Sequence, residues 1–375
     1  MRLLRIESTL LGLLLMLVFC TSSCSTLGRI TGLKPIPDSL EREEVRPAVT
    51  RSREYLSNGD PQRAMEWMQA AAATAGLEPA LKREVRELLE ECSRARIREL
   101  AAEPVQPDEL AAFLELELPR QISVEAVLIA AKELNRDEEY LDSFRLIKKL
   151  DVKYPTHHLR SDAGRILAEA GMEVSRDESN FLFFFPRRDR AKEVLEYLVL
   201  NYPSERRCPE AYATLAWLYE LDEDWELSIE RHQDLLLYHP DSPSAITSEA
   251  RIPNLRLSSI TSPEYDRQQL VRARDELQAW LERHPGMKLE GKVRLDLTEC
   301  FLRLHESDMG IARFYVRVDN DFGARFHSTR AIGEAQAAND SDREEEAVAF
   351  LATLPPAPPA VPALLAAPAA PGEAE

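Results

Sequence analysis

The sequence predicts an all-α fold in which about five helical hairpins stack into a solenoid. Alanine, leucine, glutamate and arginine are plentiful, while only 13 of the 375 residues are glycine, and this composition favours helix. The alternation of apolar and polar residues that marks a half-buried strand is hard to find anywhere in the chain. The third observation is an internal repeat whose copies each end at a proline.

The clearest copy of this repeat is Glu210–Pro240. It is predicted to form two amphipathic helices, Glu210–Leu221 and Trp225–Tyr238, around the polar turn Asp222-Glu223-Asp224. A large residue, a small residue at the closest helix approach and a closing proline together are typical of the tetratricopeptide repeat. One hairpin cannot bury its apolar stripe alone, so stacked neighbours are expected.

The same spacing recurs upstream of four prolines, which are Pro155, Pro203, Pro240 and Pro285. Twelve residues before each proline stands a small residue, namely Ser143, Ala191, Ser228 and Ala273. Eight and five residues before it stand larger residues, namely Ile147, Leu195, His232, Leu277, Leu150, Leu198, Leu235 and Trp280. A small residue lets two helices approach closely, and larger ones fill the groove between them. Each proline is therefore predicted to close the second helix of a hairpin.

The N-terminal residues are predicted to be a targeting segment rather than part of the fold. Arg2 and Arg5 precede the apolar stretch Leu10–Phe19, which is too short for a comfortable membrane span. Thr21-Ser22-Ser23-Cys24 then resembles a bacterial lipobox, although Thr21 departs from the usual leucine. Residues 1–23 are accordingly predicted to be a lipoprotein signal peptide, with an ordinary secretory signal as the alternative.

Lipidation is predicted at Cys24. Attached acyl chains contribute about 0.8 kcal/mol per buried methylene, and several chains make a stable membrane anchor. Ser25 stands where retention in the inner membrane typically uses aspartate, so the periplasmic face of the outer membrane is the predicted location. Residues 24–44 are predicted to be the lipidated cysteine and an extended tether, because Pro35 and Pro37 disfavour helix there.

Residues 45–155 are predicted to hold N-terminal tetratricopeptide-like repeats. A first helix pair is expected in Val49–Ala73, followed by a charged amphipathic helix at Pro79–Leu100. Pro107–Glu117 is predicted to be a short helix, and Val124–Pro155 the next complete hairpin.

Residues 156–338 are predicted to hold the C-terminal repeats. The interval between Pro155 and Pro203 is 48 residues, longer than the roughly 34 of an ordinary repeat. The excess contains Phe181–Phe185, in which four of five residues are phenylalanine. An aromatic plug in the solenoid core, a partner contact and a membrane-interface wedge are the three interpretations of this run.

Leu289–His305 and Ile311–Ile332 are predicted to be a last pair of helical segments. Residues 339–375 are acidic and then rich in alanine and proline, without a periodic apolar face. This composition predicts a disordered tail.

Composition and motifs favour a binding protein over an enzyme. The net charge of −18 argues against nucleic acid as a partner, because phosphate binding needs clustered lysine and arginine. No nucleophile elbow, Walker loop or dinucleotide fingerprint is present, and no histidine lies in a His-Glu-x-x-His motif. His232 and His239 share a helix face, but they occupy repeat positions, so neither a metal nor another cofactor is predicted. Cys92, Cys208 and Cys300 are predicted to be buried thiols, with a single disulfide as the alternative.

The chain resembles the BamD family of tetratricopeptide lipoproteins, which belong to the outer-membrane barrel-assembly machinery. The resemblance is carried by the lipobox, by the closures Tyr154-Pro155 and Tyr202-Pro203, by Pro263-Glu264-Tyr265-Asp266, and by Ile311-Ala312-Arg313-Phe314-Tyr315 as a helix start. It covers Pro155 to Ile332 well and the N-terminal repeats only generically.

The resemblance implies a non-catalytic scaffold whose C-terminal repeats dock onto an outer-membrane protein with periplasmic domains that inserts barrels. Unfolded barrel clients are expected to bind nearer the N-terminus. Arg313, Tyr315 and Arg317 are the predicted docking residues, with core packing as the alternative for Tyr315. Thr214 and Trp217 are predicted to line the groove, because they use first-helix positions outside the repeat core. A periplasmic tetratricopeptide adaptor for envelope organisation or secretion is the alternative function, and an enzyme is a further one.

Overall fold

The computed structural model describes residues 35–176, 187–260 and 267–355, and all regular structure within them is helical. These residues form two compact units that divide between Ile166 and Leu167. The predicted signal peptide, Cys24 and Phe181–Phe185 lie outside the described residues. Within the described part of the chain, no helix is both long and apolar enough to cross a membrane.

The N-terminal unit is built from helices that follow one another closely along the chain. In chain order they are α1 (Arg42–Ser57), α2 (Pro61–Ala72), α3 (Pro79–Leu100), α4 (Pro107–Ala111), a 3-10 turn (Ala112–Leu114), α5 (Arg120–Arg136) and α6 (Tyr140–Lys153), and α7 (Arg160–Arg176) follows. Helices α2, α3 and α4 all begin with proline, which is tolerated in a first turn because its missing N–H would have no partner there. The predicted helix at Pro79–Leu100 is confirmed at both ends.

The C-terminal unit contains the helices that follow α7. They are α8 (Arg187–Asn201), α9 (Cys208–Leu221), α10 (Trp225–Tyr238), α11 (Pro243–Ser259), α12 (Arg267–Arg283), α13 (Glu290–Arg317), α14 (Asp321–Ala338) and α15 (Ser341–Thr353). From α8 to α15 each helix packs against the next. This order of contacts is what a stack of antiparallel hairpins requires.

The predicted repeat core is confirmed. Helices α6, α8, α10 and α12 each end two residues before one of the four prolines. The residue that precedes a proline is disfavoured in the α conformation, so the helix stops there. All twelve residues predicted at the small and large repeat positions are buried.

Two buried serines show how closely the paired helices approach. Ser52 Oγ donates to the Ala64 carbonyl across the α1–α2 hairpin at 3.0 Å. Ser143 Oγ donates to the Ala131 carbonyl across the α5–α6 hairpin at 2.9 Å. A larger residue at either position would hold the two helices apart.

Two predicted boundaries differ in the structure. The tether was predicted to extend to residue 44, but α1 begins at Arg42 and Leu40 is buried. Leu40 is held by Thr74, whose hydroxyl accepts from the Leu40 N–H at 3.3 Å and donates to its carbonyl at 3.0 Å. The tail was predicted to be disordered from residue 339, but residues 341–353 form α15. The Asp340 side chain caps this helix by accepting from the Arg343 N–H, and Ala347 packs into the core.

The break predicted between the last two helical segments, after His305, is also wrong. Residues 306–310 continue the helix, so α13 is one helix of 28 residues, and the turn comes later, at residues 318–320. The stretch from Ile311 to Tyr315 is therefore the end of a helix, not the start that the family resemblance implied. Asp308 lies within the continuous helix, where its side chain is fully buried and its carboxylate is bound by Arg267 and His327.

The predicted buried thiols are confirmed. Cys92, Cys208 and Cys300 are buried and free, so none of them forms the single disulfide that the sequence left open. Burial raises the pKa of Cys92 and Cys300 to about 12 and that of Cys208 to about 11. Thiols in this state are poor nucleophiles, and these three act as small core residues.

Candidate protein interface

The predicted docking residues lie in the last turns of α13. Arg313 is exposed, and its Nη2 donates to Glu346 Oε1 on α15 at 2.6 Å. The Arg317 guanidinium lies 5.9 Å from the centroid of the Phe314 ring. Tyr315 instead packs into the α13–α14 hairpin, where an added Cβ on Gly323 would lie 2.7 Å from its Cγ. Tyr315 therefore has the structural role that the sequence left as its alternative.

Three phenylalanines near these residues are exposed. Phe314 on α13 and Phe326 on α14 are each 50% exposed, and Phe322 on α14 is 79% exposed. Phe322 and Phe326 are four residues apart, so they lie on one face of α14. We call these three side chains the aromatic patch. Exposed aromatic clusters of this kind are typical of protein interaction sites.

The packing of α14 explains why these rings face outward. The helix buries a stripe of small residues, namely Ala324, Ser328, Ala331 and Ala335. Their spacing of four, three and four residues places them on the face opposite Phe322 and Phe326. Small residues allow α14 to lie close to its neighbours, and the large rings are left on the other side.

A chain of ring contacts connects the two helices beneath the patch. Tyr315 meets Phe314 edge-on at a centroid distance of 5.8 Å and stacks on His327 at 5.6 Å. His327 in turn meets Phe326 edge-on at 5.2 Å. The Arg330 guanidinium lies 5.6 Å from the centroid of the Phe326 ring, a cation–π contact. The rings of Phe314 and Phe326 are thereby held in fixed orientations before any partner binds.

This ring chain is anchored by a buried carboxylate. Asp308 on α13 is fully buried, and its Oδ1 accepts from His327 Nδ1 at 2.6 Å. Its Oδ2 accepts from Arg267 Nη2 at 2.8 Å, and Arg330 Nε lies 3.7 Å away. A buried carboxylate is stabilised only by such close basic partners. Asp308 therefore fixes the position of His327 and, through it, the rings of Tyr315 and Phe326.

The predicted groove residues lie on a different helix. Trp217 on α9 is 45% exposed, and Leu221, one turn further, is exposed on the same face. Thr214 is partly buried, and its Oγ1 lies 3.6 Å from Met172 Sδ. Helix α9 packs against α8, α10 and α11 rather than against α13 and α14. The structure thus places the predicted residues in two separate surfaces.

The N-terminal unit has a groove of about 830 Å³ that the sequence did not predict. Its lining includes Leu114, Leu134 and Leu146, and the largely exposed Val152 lies at its side. The remaining lining residues are mostly charged and of both signs, namely Asp108, Glu115, Glu139, Asp142, Arg145, Lys148, Lys149 and Lys153. An apolar floor between charged rims suits an amphipathic protein segment.

Titratable residues of the C-terminal unit are used to join helices. His232 Nδ1 lies 2.9 Å from Ser248 Oγ, and His232 Nε2 lies 3.7 Å from Glu220. Burial acts to raise the pKa of Glu220, but the hydrogen bonds from Arg251 and the nearby His232 outweigh it and lower the pKa to about 2. Among the described residues, no group of three or more histidines, cysteines or carboxylates is placed to hold a metal ion. These contacts stabilise neighbouring hairpins.

No family model and no curated protein matches the sequence. Among solved structures, the chain is similar to MamA from residue 41 to its end, from Desulfovibrio magneticus RS-1. That match has a TM-score of 0.26 and 15% identity, and it covers 68% of this chain and 100% of the other. A tetratricopeptide repeat protein from Parabacteroides merdae ATCC 43184 gives a TM-score of 0.23 and 10% identity, over 83% of this chain and 99% of the other.

The assignment of the fold class does not rest on these similarities. The class of fold follows instead from the chain itself, which is a stack of helical hairpins with the tetratricopeptide spacing of small residues, large residues and closing prolines. Folds of this class present extended surfaces for other proteins.

Proposed function

We propose that this protein is a non-catalytic scaffold lipoprotein of the outer membrane. In this proposal it takes part in the assembly and insertion of β-barrel proteins by binding other proteins. The observation that carries the proposal is the aromatic patch on the α13–α14 hairpin. The family resemblance implies docking through the C-terminal repeats, and the patch lies there, beside the predicted docking residues Arg313 and Arg317.

The patch has the properties of a docking site for a folded partner. Phenylalanine rings are large apolar anchors with few rotatable bonds, so their burial costs little conformational entropy. The ring contacts with Tyr315 and His327 orient the rings of Phe314 and Phe326 in advance, which lowers the cost of binding further. In this proposal the partner is a barrel-inserting outer-membrane protein with periplasmic domains, and Arg313 and Arg317 lie at the rim of the contact.

The groove in the N-terminal unit supports the second part of the proposal. The resemblance implies that unfolded barrel clients bind nearer the N-terminus. A transmembrane barrel strand alternates apolar and polar residues, so one of its faces matches the leucine floor. The polar face would then meet charged residues such as Arg145 and Lys149 at the rim. Lipidation of Cys24 would keep both surfaces at the periplasmic face of the membrane.

The test is a mild-detergent affinity purification of the full-length lipoprotein from its own envelope, with mass spectrometry of the proteins recovered. The proposal predicts recovery of a barrel protein with repeated periplasmic domains, and its loss from the double variant Phe322→Ser, Phe326→Ser. Leu295→Ser is the matched control, because Leu295 is a 71% exposed apolar residue on α13. Recovery of cell-wall or secretion proteins without a barrel protein would contradict the proposal and favour the adaptor function.

A further inference from the structure

The described chain ends beside the aromatic patch. Arg325 Nη2 on α14 donates to the Leu354 carbonyl at 2.9 Å. Arg325 follows Phe322 by three residues and precedes Phe326 by one, so all three lie on neighbouring positions of the same side of α14. Leu354 is itself only 9% exposed, which fixes where the backbone leaves the fold. The residues that follow therefore start next to the exposed rings.

The backbone at this exit point already has the polyproline II conformation. Leu354 has φ −77° and ψ 146°, close to the ideal values of about −75° and +145° for that helix. The sequence then continues Pro355-Pro356-Ala357-Pro358-Pro359-Ala360-Val361-Pro362. Proline-rich segments favour polyproline II, so the exit geometry and the sequence that follows agree. The segment 355–371 contains only alanine, proline, leucine and valine.

An unpaired donor lies at the same place. Arg325 Nε is buried and has no hydrogen-bond partner among the described residues. Leaving a buried donor without a partner is unfavourable, so a nearby acceptor is expected. A polyproline II segment makes no internal hydrogen bonds, and its carbonyl groups are free to accept.

We propose that the segment 355–371 binds in cis across the aromatic patch as a polyproline II helix. Aromatic surfaces are the usual binding sites for proline-rich segments, because proline rings pack flat against aromatic rings. The geometry allows it. Phe322 and Phe326 are separated by about 6 Å along α14, while six residues of polyproline II extend about 19 Å. Because the segment is tethered beside its site, its effective concentration is on the order of millimolar, and a weak contact suffices to fill the site.

This contact goes beyond the proposed function and does not depend on it. The segment covers the patch whether the partner is a barrel protein or another envelope protein. A partner that docks on the α13–α14 hairpin would have to displace the segment first. Removing the segment would then strengthen partner binding rather than weaken it.

The experiment places the photo-crosslinker benzoylphenylalanine at position 322 of the purified full-length chain. Phe322 is the most exposed ring of the patch, and its aromatic side chain is close to the probe in shape. Irradiation is followed by tryptic digestion and fragmentation mass spectrometry, which locates the crosslinked residue. We expect crosslinks within residues 355–371 at a yield at least tenfold above the same probe at Leu295.

A variant within the segment separates specific docking from mere proximity. Substituting Pro356, Pro358, Pro359 and Pro362 by serine keeps the length and the tether while weakening polyproline II. The proposal predicts at least a fivefold lower crosslink yield for this variant. An unchanged yield, or a yield at position 322 no greater than at Leu295, would overturn it. Mixing ¹⁴N and ¹⁵N chains tests the cis arrangement, since crosslinks between differently labelled chains would assign the site to a second copy instead. No partner protein is present, so the result is independent of the barrel-assembly proposal.

Discussion

Asp308→Asn is predicted to destabilise the α13–α14 hairpin specifically. The substitution keeps the shape of the side chain but removes the negative charge that Arg267 and His327 bind. Asp308 is fully buried, and Arg267 and His327 have only 19% and 14% of their side-chain surfaces exposed. Loss of one partner from a buried ionic cluster costs about 3–5 kcal/mol, because the remaining charge stays buried and unpaired.

The matched control is Glu346→Gln, which makes the same chemical change in an exposed pair. The Arg313–Glu346 ion pair has more than half of both side chains exposed, so its loss costs at most about 1 kcal/mol. Native-state hydrogen exchange is the suitable assay, since the stability of a repeat protein is local. We expect amides of α13 and α14 to exchange roughly 100-fold faster in Asp308→Asn, the equivalent of about 3 kcal/mol, and less than tenfold faster in Glu346→Gln. Equal effects of the two substitutions would refute the assignment of Asp308 as the anchor of the hairpin.

Three further predictions concern packing and charge. Gly323→Ala is expected to destabilise the protein by about 1–3 kcal/mol in thermal unfolding, because the added Cβ would clash with Tyr315. Gly333→Ala should instead stabilise it by about 0.5–1 kcal/mol, because the Cβ added there meets open space. Equal signs for the two glycines would contradict this packing. Trp280→Ala should cost about 3–5 kcal/mol in urea denaturation, and Trp280→Leu less, because Trp280 is fully buried and leucine fills the same position in the three other repeats. Glu220 has a pKa lowered from 4.5 to about 2, so its contribution to stability is present above about pH 5 and is lost as the pH falls towards 2. The variant Glu220→Gln should lose less stability than the wild type over that pH range. An equal loss in the two proteins would contradict the lowered pKa of Glu220.

The sequence predicts the repeat hairpins well because their signals are redundant. Each closing helix has a small residue, two larger residues and a proline at fixed spacing, and every one of the small and large positions is buried. A single substitution within a copy does not hide the pattern. His232 and Trp280 differ from the residues at the equivalent positions of the other copies, yet both are buried at the places that the spacing predicts.

The C-terminal helices are harder to predict because they depart from the rule that large residues face the core. Helix α14 buries Ala324 and Ala331 and exposes Phe322 and Phe326, so the size of a residue indicates the wrong face. In helix α15 only Ala347 is fully buried. One buried alanine gives no periodic apolar pattern, so the sequence of α15 looks like that of an acidic disordered tail.

The functional surface could be predicted only in part. The family resemblance directed attention to the end of α13, and Arg313 and Arg317 are exposed there. Tyr315 is a packing residue, and the exposed rings are its neighbours in sequence and space. The four-residue spacing of Phe322 and Phe326 is visible in the sequence. It becomes informative only when the stripe of small residues on the opposite face of the helix is recognised as the buried side.

The central claim is that the aromatic patch docks a folded partner. The most direct test is the dissociation constant between the purified full-length protein and the periplasmic domains of the barrel protein it captures, measured by biolayer interferometry. Full burial of a phenylalanine contributes about 1.5–3 kcal/mol, and 1.4 kcal/mol is a tenfold change in affinity. The account predicts that Phe322→Ser with Phe326→Ser weakens binding at least tenfold, while Leu295→Ser leaves it within twofold. Equal affinities for the wild type and both variants would contradict it.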